Sequence, residues 1–287
     1  MAKSKYGHLV KTMPVNEGPK GANAYEIIWM FGKDLENFGL NFALGRYAET
    51  GVWHPWAGPH VHPTYDECLL FFGHDTDNPG YLGAEFEIAL GEEQEKHTFN
   101  TPSVVILPAG VPHCPLITKK IDKPFAHGHI ILGPDDKVDW WPKESKPAKT
   151  TGSKYNHLIK PLSVQKAPRA KELAWMTGDR LEGFNLNFAV GLGAETGPWY
   201  PGKGARVNPY DTCLIFFGHD TRKLGYLGAE IEIALGKEQE KHTFNVPTVV
   251  TVPRGLPHLP LVVKKVDKPF GFIMYNLGPK HQARWVG

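Results

Sequence analysis

The sequence is poor in cysteine, in long apolar runs and in charge of one sign. Its three cysteines, an odd number, cannot build a disulfide framework, and Cys68 and Cys213 lie inside apolar runs where a reduced thiol behaves as a small hydrophobe. A reducing compartment is expected. No run approaches the ~20 apolar residues that span a bilayer, and the first twenty residues follow their basic start with no apolar h-region. These absences predict a cytoplasmic protein with no membrane partner. With 32 Lys+Arg against 30 Asp+Glu, the formal charge is +2, and no block of like charge offers the footprint a nucleic-acid backbone would need. Nucleic acid is set aside as a partner. Also missing is any segment that keeps a helical period, which argues against an α/β sheet.

What is present is an ordinary globular composition, 41% apolar and 22% charged, in a chain of 287 residues that is long enough for two domains. The chain is one unit written twice. GHDT around His74 recurs around His219, GYLGAE around Tyr81 recurs around Tyr226, and EQEKHTFN from Glu93 recurs from Glu238, all at an offset of 145 residues. Upstream, LNFA at Leu40 returns at Leu186, AETG at Ala48 returns at Ala194, and YGHLVK from Tyr6 is echoed by YNHLIK from Tyr155. A stretch rich in Pro, Lys, Thr and Ser separates the copies, so the expected division is a domain over 1–139, a linker over 140–152 and a domain over 153–287. Runs such as CLLFF, EFEIAL and SVVILP, cut by Gly, Pro, Asn and Asp, predict short strands throughout. The fold class expected is all-β, a sandwich or barrel per copy.

In the first copy, GPHVHPTYDECLLFFG places His60 and His62 two apart, so that on a strand both imidazoles leave the same face. Glu67 follows five residues later, and PAGVPH sets His113 just beyond a tight turn that can aim it inward. Three imidazoles and a carboxylate form a mixed N/O set suited to Fe(II), Mn(II), Ni(II), Co(II) or Zn(II). The pattern H-x-H-x4-E followed by P-x-G-x2-H resembles the paired signature of the cupin superfamily, and the duplication makes the chain similar to bicupins. The resemblance covers nearly the whole chain. It implies two tandem cupin domains, each a jelly-roll or double-stranded β-barrel, and places the family's metal-ligand positions on His60, His62, Glu67 and His113. It further implies one divalent transition metal per chain, Fe(II) or Mn(II) ahead of Ni, Co and Zn. Two departures concern the strand between the motifs: Gly73 comes one residue early, and Ile117 stands where many members have Asn.

The second copy is an internal control. Aligned with one gap, it has Arg206 opposite His60, Asn208 opposite His62 and Thr212 opposite Glu67, and only His258 matches His113. Around these changes, Tyr65 to Thr101 is identical to its partner segment at 29 of 37 positions, so the loss of ligands stands out against a nearly unchanged background. A hydrogen-bonded structural role is expected for His258, and a salt bridge ahead of anion binding for Arg206. Positions polar in the first copy and apolar in the second mark further candidates. His127 and His129 in PFAHGHIIL stand where the second copy has Phe272 and Met274, which points their shared face into the barrel. They are expected to serve a substrate or a metal-bound oxygen as acid, base or hydrogen-bond donor, the alternative being a satisfied interior pair. His54, opposite Tyr200, is placed at the barrel mouth with Trp53 and Trp56, where aromatic walls suit a planar substrate or simply pack the core. His74, His97, Glu85 and Glu87 recur in the second copy and are assigned to structure.

The resemblance implies an enzyme that chelates a small enolisable dicarbonyl or polyhydroxylated cyclic substrate and cleaves a C–C bond by dioxygenation, as dioxygenase bicupins do. The alternatives are an oxygen-independent hydrolase acting on a 1,3-dicarbonyl, a decarboxylase, and a pirin-like metal-binding regulator. Oxalate decarboxylases resemble the chain in duplication but normally keep ligands in both copies. A small-molecule substrate, association into a homo-oligomer, and pairing of the Tyr6 and Tyr155 segments across the two domains complete the expectations.

Overall fold

The computed structural model describes residues 4–53, 58–140, 154–163, 165–167, 170–200, 204–219 and 223–286. The expected linker lies outside the described residues except for Trp140, as do His54 and Trp56. Strands dominate, and the helical elements among the described residues are four three-residue 3₁₀ turns. No helix among them is long and apolar enough to cross a membrane.

Alternation in the sequence becomes two-faced strands. In Ala84–Leu90 the buried Phe86 and Ile88 alternate with Glu85 and Glu87, which reach the salt-bridging Lys120, Lys96 and Lys119. The continuous apolar run of Glu67–Gly73 instead makes a strand buried along its whole length, with neighbours on both edges.

The chain divides into two compact units, one of Pro14–Ser163 and the other of Met1–Met13 with Val164–Gly287. They are called here the N-terminal and C-terminal barrels. In the N-terminal barrel one sheet runs Ile159–Pro161, Ser103–Leu107, Glu67–Gly73, Phe125–Ile131, Asn41–Tyr47, Ala24–Met30, Val15–Glu17. The other runs Asp139–Trp140, His60–Val61, His113–Ile121, Ala84–Leu90, Glu95–Phe99, with Gly51–Val52 also on His113–Ile121. Leu69 and Phe71 from the first sheet and Phe86 and Ile88 from the second share one buried core, so the sheets pack face to face. The C-terminal barrel repeats this order strand for strand, from Val10–Thr12 and Thr248–Val252 onward.

These units correct the expected boundaries of 1–139 and 153–287, because each N-terminal arm belongs to the other repeat's barrel. Val10–Thr12 pairs antiparallel with Thr248–Val252, and Ile159–Pro161 pairs with Ser103–Leu107. Leu9 and Leu158 are each 3% exposed, so the arms bury apolar surface as well as closing sheet edges. Tyr6 lies across Gly236, where a Cβ would come within 2.2 Å of its ring, and donates to Glu238 Oε2 at 2.8 Å. Tyr155 does the same at Gly91 and Glu93, with a hydrogen bond of 3.0 Å. Sequence similarity identifies equivalent segments, whereas contact decides which barrel they complete, and here the two differ.

Candidate metal centre

The four expected ligands converge inside the N-terminal barrel. His60 and His113 face each other across two strands, Cα partners with ring centroids 4.3 Å apart. The turn before His113 is closed by Val111 N–H donating to Pro108 O at 3.0 Å, and Gly110 N–H fastens it to His62 O at 2.9 Å. Gly110 has a φ of 82°, a conformation that disfavours residues with a side chain. The PAGVPH motif thus sets His113 beside the short strand His60–Val61, which His62 directly follows. Glu67 begins its own strand at 2% exposed, with His62 at 4% and His113 at 1%.

Backbone carbonyls fix the tautomers. His60 Nδ1 lies 3.1 Å from Gly58 O, His62 Nδ1 2.9 Å from Lys137 O, and His113 Nδ1 3.1 Å from Val111 O. A carbonyl only accepts, so each Nδ1 carries the proton and each Nε2 presents a lone pair. Glu67 Oε2 sits 3.1 Å from His113 Nε2 and 3.3 Å from His62 Nε2, yet both Oε2 and His113 Nε2 are buried without a hydrogen-bond partner. Acceptors held this close with no proton between them repel unless a cation lies among them. Adjacent ligands bonded at roughly 2.1 Å and at right angles are about 3 Å apart, which is the spacing seen. The donor set therefore fits a divalent ion.

The electrostatics agree with this geometry. Burial pushes His60 down to about 3, which keeps it neutral as a ligand must be. Burial alone would raise the Glu67 carboxyl, but the His129 imidazolium at its far oxygen opposes that, and Glu67 is held well below the usual carboxylate range.

His129 joins the centre through the carboxylate's other oxygen, its Nε2 lying 2.7 Å from Glu67 Oε1. Burial opposes its imidazolium form, and Glu67 overcomes that and raises its affinity for a proton. His127 sits apart, its Nδ1 donating to Leu70 O at 3.0 Å and its ring meeting Trp53 edge-on at 4.3 Å. Both histidines line one cavity of about 290 Å³ that reaches the four ligands. Trp29, Tyr47, Trp53 and Trp140 give it aromatic walls, and no Lys or Arg lines it among the described residues. Trp53 stacks on Tyr47 at 4.1 Å and donates its indole N–H to Thr118 Oγ1 at 2.8 Å, so it is both wall and core.

Sequence reasoning missed Tyr47, Trp29 and Asp136. The Asp136 carboxylate lies 3.5 Å from His62 Nδ1 and has one buried oxygen without a hydrogen-bond partner. A signal for it existed, because GPDDKV from Gly133 aligns with GPKHQA from Gly278 and puts Asp136 opposite His281. Among the repeated polar residues, His97 lies between Asn156 and Glu95, each at 3.0 Å.

At the corresponding place the C-terminal barrel is closed by hydrogen bonds. Asn208 donates to Thr212 Oγ1 at 2.9 Å, Thr212 to Asn276 Oδ1 at 2.9 Å, and Asn276 to Asn187 Oδ1 at 2.7 Å. Phe272 and Met274 fill the space where His127 and His129 stand in the other barrel. His258 donates to Leu256 O at 3.2 Å, a structural role as expected. Arg206 corrects its expectation: its polar partner is His281, not a carboxylate.

No family model matches the chain, and no curated protein matches it in sequence. Solved structures of Bacillus subtilis oxalate decarboxylase do match in three dimensions. One is an arginine-to-alanine variant at a TM-score of 0.62 and 8% identity, over 96% of this chain and 79% of that one. Another, from work on that enzyme's Mn(II) centres, scores 0.63 at 8% identity over the same shares. A third, concerned with its substrate binding mode and a reaction specificity switch, scores 0.63 at 9% identity, again over 96% and 79%. The likeness is one of fold: the chain is all-β, two tandem antiparallel β-barrels like those of oxalate decarboxylase.

Proposed function

We propose that the N-terminal barrel is a divalent-metal enzyme centre, with His60, His62, Glu67 and His113 as ligands, and that it cleaves a C–C bond of a small chelating substrate by dioxygenation. One observation carries this reading: carbonyl-fixed imidazole lone pairs and a partnerless Glu67 oxygen converge at the floor of an apolar cavity. A bound Fe(II) or Mn(II) ion supplies Lewis acidity and a template for a pair of substrate oxygens.

The chain's own residues do the rest. The three Nδ1–H to carbonyl bonds lock ring orientation, and His129 holds the carboxylate by its far oxygen, as outer partners of a metal site do. His129, lining the cavity beside the ligands, is placed to give a proton or hydrogen bond to substrate. The walls of Trp29, Tyr47, Trp53 and Trp140 exclude water and offer ring faces to a planar body. With no Lys or Arg lining the cavity among the described residues, the site suits an enolisable dicarbonyl or polyhydroxylated ring better than a small dianion.

Oxygen-independent decarboxylation or hydrolysis is the second reading, favoured by the fold shared with oxalate decarboxylase. Oxygen uptake on a panel of aryl β-diketones, polyphenols and oxalate, with products also sought anaerobically, separates the two. Substrate-dependent uptake supports dioxygenation. Anaerobic turnover replaces it with the second reading, and metal binding without turnover on any member leaves a regulator.

A further inference from the structure

Among the described residues, the C-terminal barrel buries a cation, Arg206, with no carboxylate beside it. Arg206 occupies the register position of His60, paired across strands with His258 as His60 is with His113. It is only 5% exposed, so its guanidinium must find partners within the protein. Among the described residues its one hydrogen bond is from Nη2 to His281 Nε2 at 2.6 Å, and the Tyr200 ring lies 5.5 Å from Cζ. Its Nε is buried with no partner.

Among the described residues nothing around it supplies negative charge. A guanidinium only donates, so His281 accepts through Nε2 and is neutral. His258 is neutral as well, pushed down to about 4 by burial and then by Arg206 itself. No described carboxylate lies within ion-pairing distance of Arg206. The duplication shows how this arose: the position that delivers the Asp136 carboxylate beside His62 in the N-terminal barrel delivers the His281 imidazole beside Arg206 in the C-terminal one. Relative to the N-terminal copy, one repeat position carries a cation and another lacks the anion that could neutralise it. A charge left unpaired at such depth is strongly destabilising, and a ligand that brings the missing charge recovers much of that.

We propose that Arg206, flanked by Tyr200 and His281, is the anchor of an anion site in the C-terminal barrel that takes a small carboxylate from solution. The guanidinium fork matches a carboxylate in shape as well as charge. His281 is exposed and Tyr200 half-buried, which gives the site a solvent edge by which a small ligand enters. The site lies in a different barrel from the candidate metal centre and does not depend on that centre's chemistry.

Calorimetric titration with formate, oxalate and inorganic phosphate, at constant ionic strength and on metal-loaded protein, tests this. Wild type, His62→Ala, Arg206→Gln and Arg206→Lys are compared, with thermal melts confirming that each is folded. The expected result is a saturable carboxylate site that persists in His62→Ala, disappears in Arg206→Gln and weakens at least about tenfold in Arg206→Lys, which keeps the charge but loses the fork. Should Arg206→Gln fail to fold, the Arg206→Lys comparison decides alone. Carboxylate binding that is absent from wild type, undiminished in the Arg206 variants, or lost only in His62→Ala overturns the proposal. So does a site that takes phosphate and refuses carboxylates.

Discussion

The two barrels share strand order and much of their sequence, yet one gathers lone pairs and the other consumes them. In the N-terminal barrel, His62, His113 and Glu67 face one another with no proton between them. In the C-terminal barrel, Asn208, Thr212, Asn276 and Asn187 pass each donor to the next acceptor. The comparison teaches that this scaffold does not need a metal to close its interior. The cost of holding converging acceptors in the first barrel therefore reflects what that barrel binds.

The strongest way to break the contrast is to write one site into the other. His60→Arg, His62→Asn and Glu67→Thr together give the N-terminal barrel the C-terminal set, and elemental analysis is expected to show metal affinity down by more than about a hundredfold. Retained secondary structure by circular dichroism is expected, since the C-terminal barrel folds with these residues. Next in size is His129→Met, again copying the other repeat. Turnover is expected to fall by about 10²–10⁴ with metal content kept, because the variant removes a proton donor beside the substrate and not a ligand. Unchanged turnover in that variant would reduce His129 to packing.

The arms give a sharper test, since each is expected to stabilise the barrel it does not precede. Leu9→Ala should destabilise the C-terminal barrel, and Leu158→Ala the N-terminal one, each by about 2–5 kcal/mol. Metal at about 1,000 times its Kd adds about 4 kcal/mol to the barrel that binds it. In thermal melts with and without chelator, Leu158→Ala should lower the metal-sensitive transition and Leu9→Ala the other. The smallest effect concerns pH. Burial, with Arg206, lowers His258 from 6.5 in the open chain to about 4 when folded. Between those values the unfolded chain takes up a proton that the folded barrel refuses. Stability is therefore full above about pH 6.5 and declines as pH falls towards 4. His258→Gln should flatten that part of the stability curve.

Much of this was legible in the sequence because β-structure writes itself in short repeats. The alternation in EFEIAL, the unbroken CLLFF and the spacing of His60, His62, Glu67 and His113 each fix a local geometry, and the duplicate shows which of those residues the fold can spare. Less legible was anything set by where distant segments land. Alternation put His127 and His129 on one face but could not say that only His129 reaches Glu67 while His127 turns to Leu70 O. Asp136 comes from a loop after the last long strand, and loop residues carry no period. The likeness of the Tyr6 and Tyr155 segments suggests pairing across the two domains, but not that their buried leucines complete the opposite cores. Arg206 was expected to find a carboxylate, and the substitution that withheld one lies 75 residues away at His281.

The most direct test of the central claim is metal stoichiometry in protein purified without added metal, measured beside His62→Ala. The account expects about one divalent transition ion per chain, lost in the variant while the C-terminal barrel's melting transition stays in place. No bound metal in the wild type, or metal retained undiminished in His62→Ala, would contradict it.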